Sequence, residues 1–150
     1  MYKVTKEISF CYGHRLMNYT GKCQHLHGHN GKLEIELSAA QLDARGMVRD
    51  FNEIKQAIQR WIDANLDHTM ILRKDDPALP LLRKLGEPLF VMTDNPTAEG
   101  LAKLLYDVAK RLGFPVTCVR LWETPNSFAT YEPSRERRLA SRRRMTSTAA

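Results

Sequence analysis

The chain is 150 residues long, 43% hydrophobic and 27% charged, the profile of one ordinary globular domain with a single modest core. Its net charge of +6 sits mostly at the end: residues 134–150 carry six arginines against Glu136, and the body before them is near neutral at +1. That excludes a basic nucleic-acid-binding face on the body, and no apolar run is long enough to span a membrane.

No charged-then-apolar leader opens the chain. Three cysteines, Cys11, Cys23 and Cys118, are an odd number without framework spacing, which points to free thiols in a reducing, cytoplasmic setting. In chain order, Val4 to Phe10 is rich in β-formers and reads as a first strand. A polar loop with Asn18, Thr20, Gly21 and Lys22 follows and delivers Cys23. Gly31 to Leu37 alternates cleanly, with Leu33, Ile35 and Leu37 on one face and Lys32, Glu34 and Glu36 on the other: a half-buried antiparallel strand. Leu42 to Gly46 is a turn, after which Met47-Val-Arg is expected to prolong the ribbon.

Asp50 with Glu53 three residues on forms a capping-box pattern, and Ile54, Ala57, Ile58, Trp61 and Ile62 then mark one apolar helix face. A second helix is expected from Thr97 to Leu112, with Leu101, Leu104, Leu105, Val108 and Leu112 in phase and Gly113 as a stop. Between them, Arg73 to Asp94 contains Pro77, Pro80, Gly86 and Pro88 and is expected to form a helical turn over 78–85 and an extended piece over 89–92. Val116 to Glu123 and Phe128 to Tyr131 close the chain as two strands about a turn at 124–127. Cys11 and Cys118 lie in strand patterns and read as small buried residues. The fold class is therefore α+β, ordered ββααββ, with a four-stranded antiparallel sheet and two helices on one face. Such a sheet leaves edges that oligomerisation could cover.

The chemistry concentrates between His14 and His29, which holds four of the five histidines. His27 and His29 share one side of an extended segment, and Gly28 between them allows close approach. With His14 they supply three imidazoles, and three protein ligands plus an open position is how catalytic zinc is held. His25 has the same parity, so spacing alone leaves it open as a ligand. Cys23, beside Lys22 and this cluster, reads as a thiol able to act as base or nucleophile. Asp67 beside His68 suggests a carboxylate–imidazole relay, although His68 near a helix C-terminus could equally complement the dipole. Glu123 ends an apolar strand, where a carboxylate needs a partner or a purpose. Arg15 and Lys32 are candidates for holding phosphate.

Phe10-Cys-Tyr-Gly-His14-Arg-Leu, then Cys23-x-x-x-His27-Gly-His29-Asn30, resembles the 6-pyruvoyltetrahydropterin synthase and 6-carboxytetrahydropterin synthase family. Gly46-Met-Val-Arg-Asp-Phe51, Leu66-Asp-His68, Asn95-Pro-Thr-Ala-Glu99 and Leu121-Trp-Glu-Thr124 follow in the family's order, so the resemblance runs from about Lys3 to Tyr131. It implies the tunnelling fold, whose sheets join edge to edge into barrels stacked as hexamers. It also implies a Zn²⁺-dependent lyase acting on 7,8-dihydroneopterin triphosphate. In that reading His14, His27 and His29 hold the metal, Cys23, Asp67 and His68 transfer protons, Glu123 anchors the pterin, and Thr97 lies near the ring. The three-residue gap between Cys23 and His27 resembles the carboxy branch, which releases acetaldehyde and triphosphate and serves the queuosine (7-deazapurine) route. The pyruvoyl branch eliminates triphosphate and keeps the side chain. The Arg73–Asp94 segment is longer than in typical bacterial members and enters just after His68.

Residues 1–133 are thus expected to be the synthase-like domain. Residues 134–150 are expected to be a solvated basic tail, with at most a weak electrostatic affinity for RNA or phosphates. A reading from another class is a non-catalytic zinc-binding module, in which the metal only stabilises the fold.

Overall fold

Residues 1–134 are described by the computed structural model; the Arg-rich tail expected from Ser134 lies, but for its first residue, outside the described residues. Strands β1 (Tyr2–His14) and β2 (His27–Ala39) pair antiparallel along their whole length, from Tyr2↔Ala39 to His14↔His27. Strand β5 (Val116–Thr124) adds to β2, and β6 (Ser127–Tyr131) adds to β5, both antiparallel. These four strands match the expected order, but the sheet does not stop there.

It has six strands and is mixed, in the order β4-β3-β1-β2-β5-β6. Strand β3 (Thr69–Arg73) runs parallel to β1, and β4 (Leu89–Met92) runs parallel to β3. A third helix, α2 (Leu79–Leu85), makes the crossover between them, as a parallel pair requires. The four-stranded antiparallel sheet with two helices is therefore corrected to six mixed strands with three helices. The expected extension at Met47–Arg49 is likewise absent. Asp43 turns the chain there, its carboxylate accepting the N–H groups of Arg45 and Met47 at 2.8 and 3.0 Å.

The two long helices form where their caps and stripes place them. Helix α1 (Phe51–Asn65) begins at Asp50, whose side chain accepts the Asn52 N–H at 2.7 Å. Its Ile54, Ile58 and Ile62 are fully buried. Helix α3 (Ala98–Arg111) begins at Thr97, whose hydroxyl accepts the Gly100 N–H at 3.2 Å. Leu101 and Leu105 are buried and Leu104 partly so, whereas Leu112, at the cap, is exposed. Both helices contribute to one core with Ile8 and Phe10 of β1, Leu33, Ile35 and Leu37 of β2 and Leu121 of β5. Each fully buried Leu or Ile there contributes roughly 1.5–3 kcal/mol. The alternate positions, such as Glu7, Ser9, Lys32 and Glu34, occupy the other face, where Glu34 accepts the Trp122 indole N–H at 2.8 Å.

Two contacts hold the end of the sheet that carries the histidines. Asp76, itself buried, receives Arg15 just beyond β1 through a two-pronged ion pair, with Nε to Oδ2 at 2.8 Å. It also accepts the Ala78 N–H at 2.8 Å, so one carboxylate ties β1 to the start of the β3–β4 crossover. The second contact is the approach of β1 to β2 at Gly13↔Gly28. A Cβ on Gly28 would stand 2.9 Å from the Tyr12 carbonyl oxygen, which is backbone and cannot swing aside.

Asp76→Asn should weaken the fold by about 1–3 kcal/mol near neutral pH, read by urea unfolding. Arg15, opposed by burial and helped by the Ala78 N–H, holds the Asp76 carboxyl below the usual carboxylate range. The stabilisation is therefore complete above the ordinary Asp value of about 4 and is lost as pH falls through the lower folded-state value. The gap between wild type and variant should close in acid. Gly28→Ala should cost about 1–3 kcal/mol in the same assay and lower metal retention, because β1 and β2 must separate at His14 and His27.

Candidate active site

The register of β1 with β2 sets His14 opposite His27 and Tyr12 opposite His29, so all four side chains share the helix-covered face. The three imidazoles meet there, with ring centroids 4.5, 5.0 and 5.1 Å apart. Their hydrogen bonds decide the tautomers. His14 Nδ1 lies 2.7 Å from the Pro96 carbonyl, and His27 Nδ1 lies 2.7 Å from the His25 carbonyl. A carbonyl only accepts, so both Nδ1 atoms carry the proton and both Nε2 atoms present bare lone pairs.

His27 Nε2 is buried with no hydrogen-bond partner. His14 Nε2 faces His29 Nε2 at 3.1 Å. Tetrahedral nitrogen ligands on one zinc stand about 3.4 Å apart, so the spacing suits a shared cation. Potential ligand atoms of His14, His27 and His29 all lie within 4.8 Å of one another. Burial lowers the His14 pKa, against the Pro96 carbonyl and Glu123, which raise it. A neutral imidazole is the form that binds metal. The donor set thus fits a divalent ion. His25, open as a ligand by spacing, contributes its carbonyl to the site while its side chain is exposed.

Glu123 stands beside the trio. Its Oε1 accepts the Tyr12 hydroxyl at 3.0 Å and lies 3.7 Å from His14 Nε2. Burial, then Glu123, pushes the Tyr12 pKa up, so the phenol stays a donor. Tyr12 is a site residue that the motif reading passed over; its parity with His14 on β1 was the available signal.

Asp67 and His68 lie in the turn between α1 and β3 rather than at the end of the helix. Asp67 Oδ2 holds His68 Nδ1 at 2.9 Å, so the expected carboxylate–imidazole pair forms. Burial raises the Asp67 pKa, but the N–H of Cys11 at 2.9 Å and the His68 ring outweigh it and hold the carboxyl low. His68 has φ 54, a left-handed backbone that a non-glycine residue adopts at a cost of about 1–3 kcal/mol. The thiol beside this imidazole is Cys11, with Sγ 3.6 Å from Nε2 and 3.9 Å from Nδ1. Cys11 is half-buried rather than the inert core residue expected, because alternation sends it to the face away from the helices. Cys118 is buried as expected, its thiol pushed up to about 11 by burial.

The remaining expectations fall elsewhere. Cys23 sits half-buried in a single 3₁₀ turn (Lys22–Gln24), its carbonyl accepting the Leu16 N–H at 2.8 Å. Among the described residues it belongs to neither group of potential metal ligands, the trio or the one with His68. The Thr97 hydroxyl is engaged as the α3 cap, next to the Pro96 that holds His14. Arg15 is engaged by Asp76, and Lys32 lies between Glu7 and Glu34. A cleft of about 630 Å³ runs from Cys11 and His68 past Gly13 and Gly28 to His27 and His29.

Three comparisons bear on this arrangement. The chain matches the family model described as 6-pyruvoyl tetrahydropterin synthase over residues 3–134. It is 42% identical over 135 residues to 6-carboxy-5,6,7,8-tetrahydropterin synthase of Rickettsia conorii, covering 85% of this chain and 98% of that protein. Among solved structures it is similar to an uncharacterized protein from Wolinella succinogenes, at TM-score 0.75 and 31% identity, covering 89% of this chain and 98% of that one. The fold is also that of 6-pyruvoyl tetrahydropterin synthase from Caenorhabditis elegans, at TM-score 0.68, 24% identity and coverage of 89% and 96%. No described helix is long and apolar enough to cross a membrane. With its strand order, imidazole cluster and nearly full-length matches in agreement, the chain belongs to the 6-pyruvoyl tetrahydropterin synthase family.

Proposed function

We propose that the protein is a zinc-dependent 6-carboxy-5,6,7,8-tetrahydropterin synthase, a lyase that converts 7,8-dihydroneopterin triphosphate and releases acetaldehyde and triphosphate. The observation that carries this reading is the trio of His14, His27 and His29, two of them with Nε2 left bare by carbonyl-bound Nδ1 atoms, next to Glu123. Support for the carboxy branch comes from the Rickettsia relative's name and from the three-residue spacing of Cys23 and His27. Imidazole ligands suit zinc among the common divalent ions. Bound there, Zn²⁺ supplies Lewis-acid polarisation of the substrate's side-chain hydroxyls.

The chain's own residues do the rest. Glu123 accepts the guanidine-like N–H edge of the pterin, with Tyr12 steadying Oε1 by its own hydrogen bond. Cys23 takes a proton from the side chain as base. His68, set by Asp67, returns one as acid. Thr97 lies near the ring through its place beside Pro96.

Alternation places the Asp67–His68 group on the side of β1 away from the trio. The cleft that joins the two groups passes Gly13 and Gly28, and it is there that the substrate would bridge trio and relay. Strands β4 and β6, the sheet's edges among the described residues, are the surfaces for the edge-to-edge assembly, a hexamer by resemblance to the family. Free thiols at Cys11, Cys23 and Cys118 suit a reducing cytoplasm. The queuosine route is the setting in which such a product is used.

The matched family model's description favours one second reading, 6-pyruvoyl tetrahydropterin synthase, in which triphosphate leaves and the side chain stays. Mass spectrometry of products decides: acetaldehyde and 6-carboxytetrahydropterin are expected, and a retained three-carbon side chain would overturn the carboxy assignment. Cys23→Ala should stay folded and metal-loaded while kcat drops about 10²- to 10⁴-fold. Unchanged kcat in that variant would overturn Cys23 as the base, and a metal-loaded wild type without turnover would favour the non-catalytic zinc module. Glu123→Gln should raise KM about 10-fold or more, the loss of a charge-assisted hydrogen bond of about 1.5–3 kcal/mol. A chelator should abolish turnover without unfolding the chain, and Zn²⁺ should restore it.

A further inference from the structure

Glu123 stands where its carboxylate has two competing uses. Its Oε1 lies 3.7 Å from His14 Nε2, close to the roughly 3.4 Å that separates ligands of one tetrahedral zinc. A carboxylate there is a ready fourth ligand, and a fourth protein ligand closes a site that catalysis needs open. Yet the group whose ligand atoms all lie within 4.8 Å of one another holds the three histidines and not Glu123. What restrains the carboxylate is Tyr12, whose hydroxyl donates to that same Oε1 at 3.0 Å. His14 Nε2 offers it no proton, because the proton sits on Nδ1 against the Pro96 carbonyl. The tyrosine is itself fixed, at 3% exposure. Phe10 stacks on its ring with centroids 5.4 Å apart, and His14 meets it edge-on at 5.3 Å. On β2 the ring lies against Gly31, where a Cβ would stand 3.0 Å from Tyr12 Cε1.

We propose that Tyr12 is a positioning residue that keeps Glu123 off the metal, so that the trio retains an open corner and the carboxylate stays available to the substrate. The inference rests on the reading of the trio as a zinc site and of Glu123 as the pterin anchor. Without the hydroxyl, the oxygen nearest the trio loses its donor, and a divalent cation held by His14 becomes its best partner. Glu123 would then fill the open corner, and the site would pass from the three-ligand catalytic type to the closed four-ligand type. Two functions would be lost together, since the same carboxylate could no longer accept the ring's N–H edge.

Cobalt reports the ligand set, because the visible absorption of Co²⁺ follows the number and kind of its ligands. The full chain, loaded with one equivalent of Co²⁺, is titrated with azide, a small anion that enters an open position. The wild-type band should shift as azide is added. Tyr12→Phe, which keeps the buried ring and removes only the hydroxyl, should show a different band and need about 10-fold more azide, the size usual for an outer-shell partner. It should also hold Co²⁺ and Zn²⁺ about 10-fold more tightly. Tyr12→Phe/Glu123→Gln should regain the azide response and bring metal affinity back to the wild-type value or below, which a mere packing defect at Tyr12 would not allow. With zinc bound, Tyr12→Phe should lower kcat about 10-fold, and the double variant should recover kcat while keeping the raised KM of Glu123→Gln. A Tyr12→Phe chain with the wild-type band, azide response and affinity would overturn the inference and leave the zinc reading standing. Changes that persist in the double variant would overturn it too, since they would not come from Glu123. A wild-type chain that binds no Co²⁺ would overturn the zinc reading and this inference with it.

Discussion

Everything at the candidate site depends on the antiparallel pairing of β1 with β2, continued without a bulge to its last pair, His14 with His27. A slip of one residue would send His27 and His29 to the opposite face from His14 and dissolve the trio. The register is held by burial along the same strands, where Ile8 pairs with Leu33 and Lys6 with Ile35 while Leu33, Ile35 and Leu37 lie wholly inside. The core thus does more than stabilise. It aligns three imidazoles some 20 Å away along the strand, at about 3.4 Å per residue, by forbidding any other alignment.

The same alternation that gathers the trio also divides the chemistry. Even-numbered positions of β1 from Ile8 to His14 face the helices and the metal candidates; Cys11 faces away, toward Asp67 and His68. Gly13 and Gly28, paired where the two groups come nearest, leave the sheet thin at that point. Both groups are held by the strand ends and by β3, whose parallel pairing to Tyr12, Gly13 and His14 positions His68 one residue before the ladder begins. The β3–α2–β4 unit therefore supports the Asp67–His68 pair, and Arg15 with Asp76 ties that unit back to β1.

Much of this was legible in the residues. The two-residue period of Leu33, Ile35 and Leu37 and the three-four period of Ile54, Ile58 and Ile62 report burial on one face, and the structure buries those side chains. Asp50 and Thr97 read as helix starts because their side-chain oxygens satisfy N–H groups that no helix can satisfy for itself. Thr69–Arg73 was not legible as a strand. A run of five residues just after a helix carries no period that separates strand from helix, and its partners lie more than fifty residues earlier and about twenty later. Cys11 failed for a related reason. A cysteine in an apolar strand is usually buried, and only the arrival of His68 on the outward face gives it another character.

Environment, not motif, separates the three thiols. Cys118 is sealed in the core, and burial pushes its pKa up to about 11, which removes it from chemistry near neutral pH. Cys23 sits half-buried on a single turn just ahead of β2, close in sequence to the trio. Cys11 is the one whose backbone and side chain are both held, by a carboxylate and an imidazole that are themselves bonded together. The sulfur lies beside the ring, 3.6 Å from Nε2 and 3.9 Å from Nδ1, and a single carboxylate fixes both partners, with Oδ1 on the Cys11 N–H and Oδ2 on the imidazole.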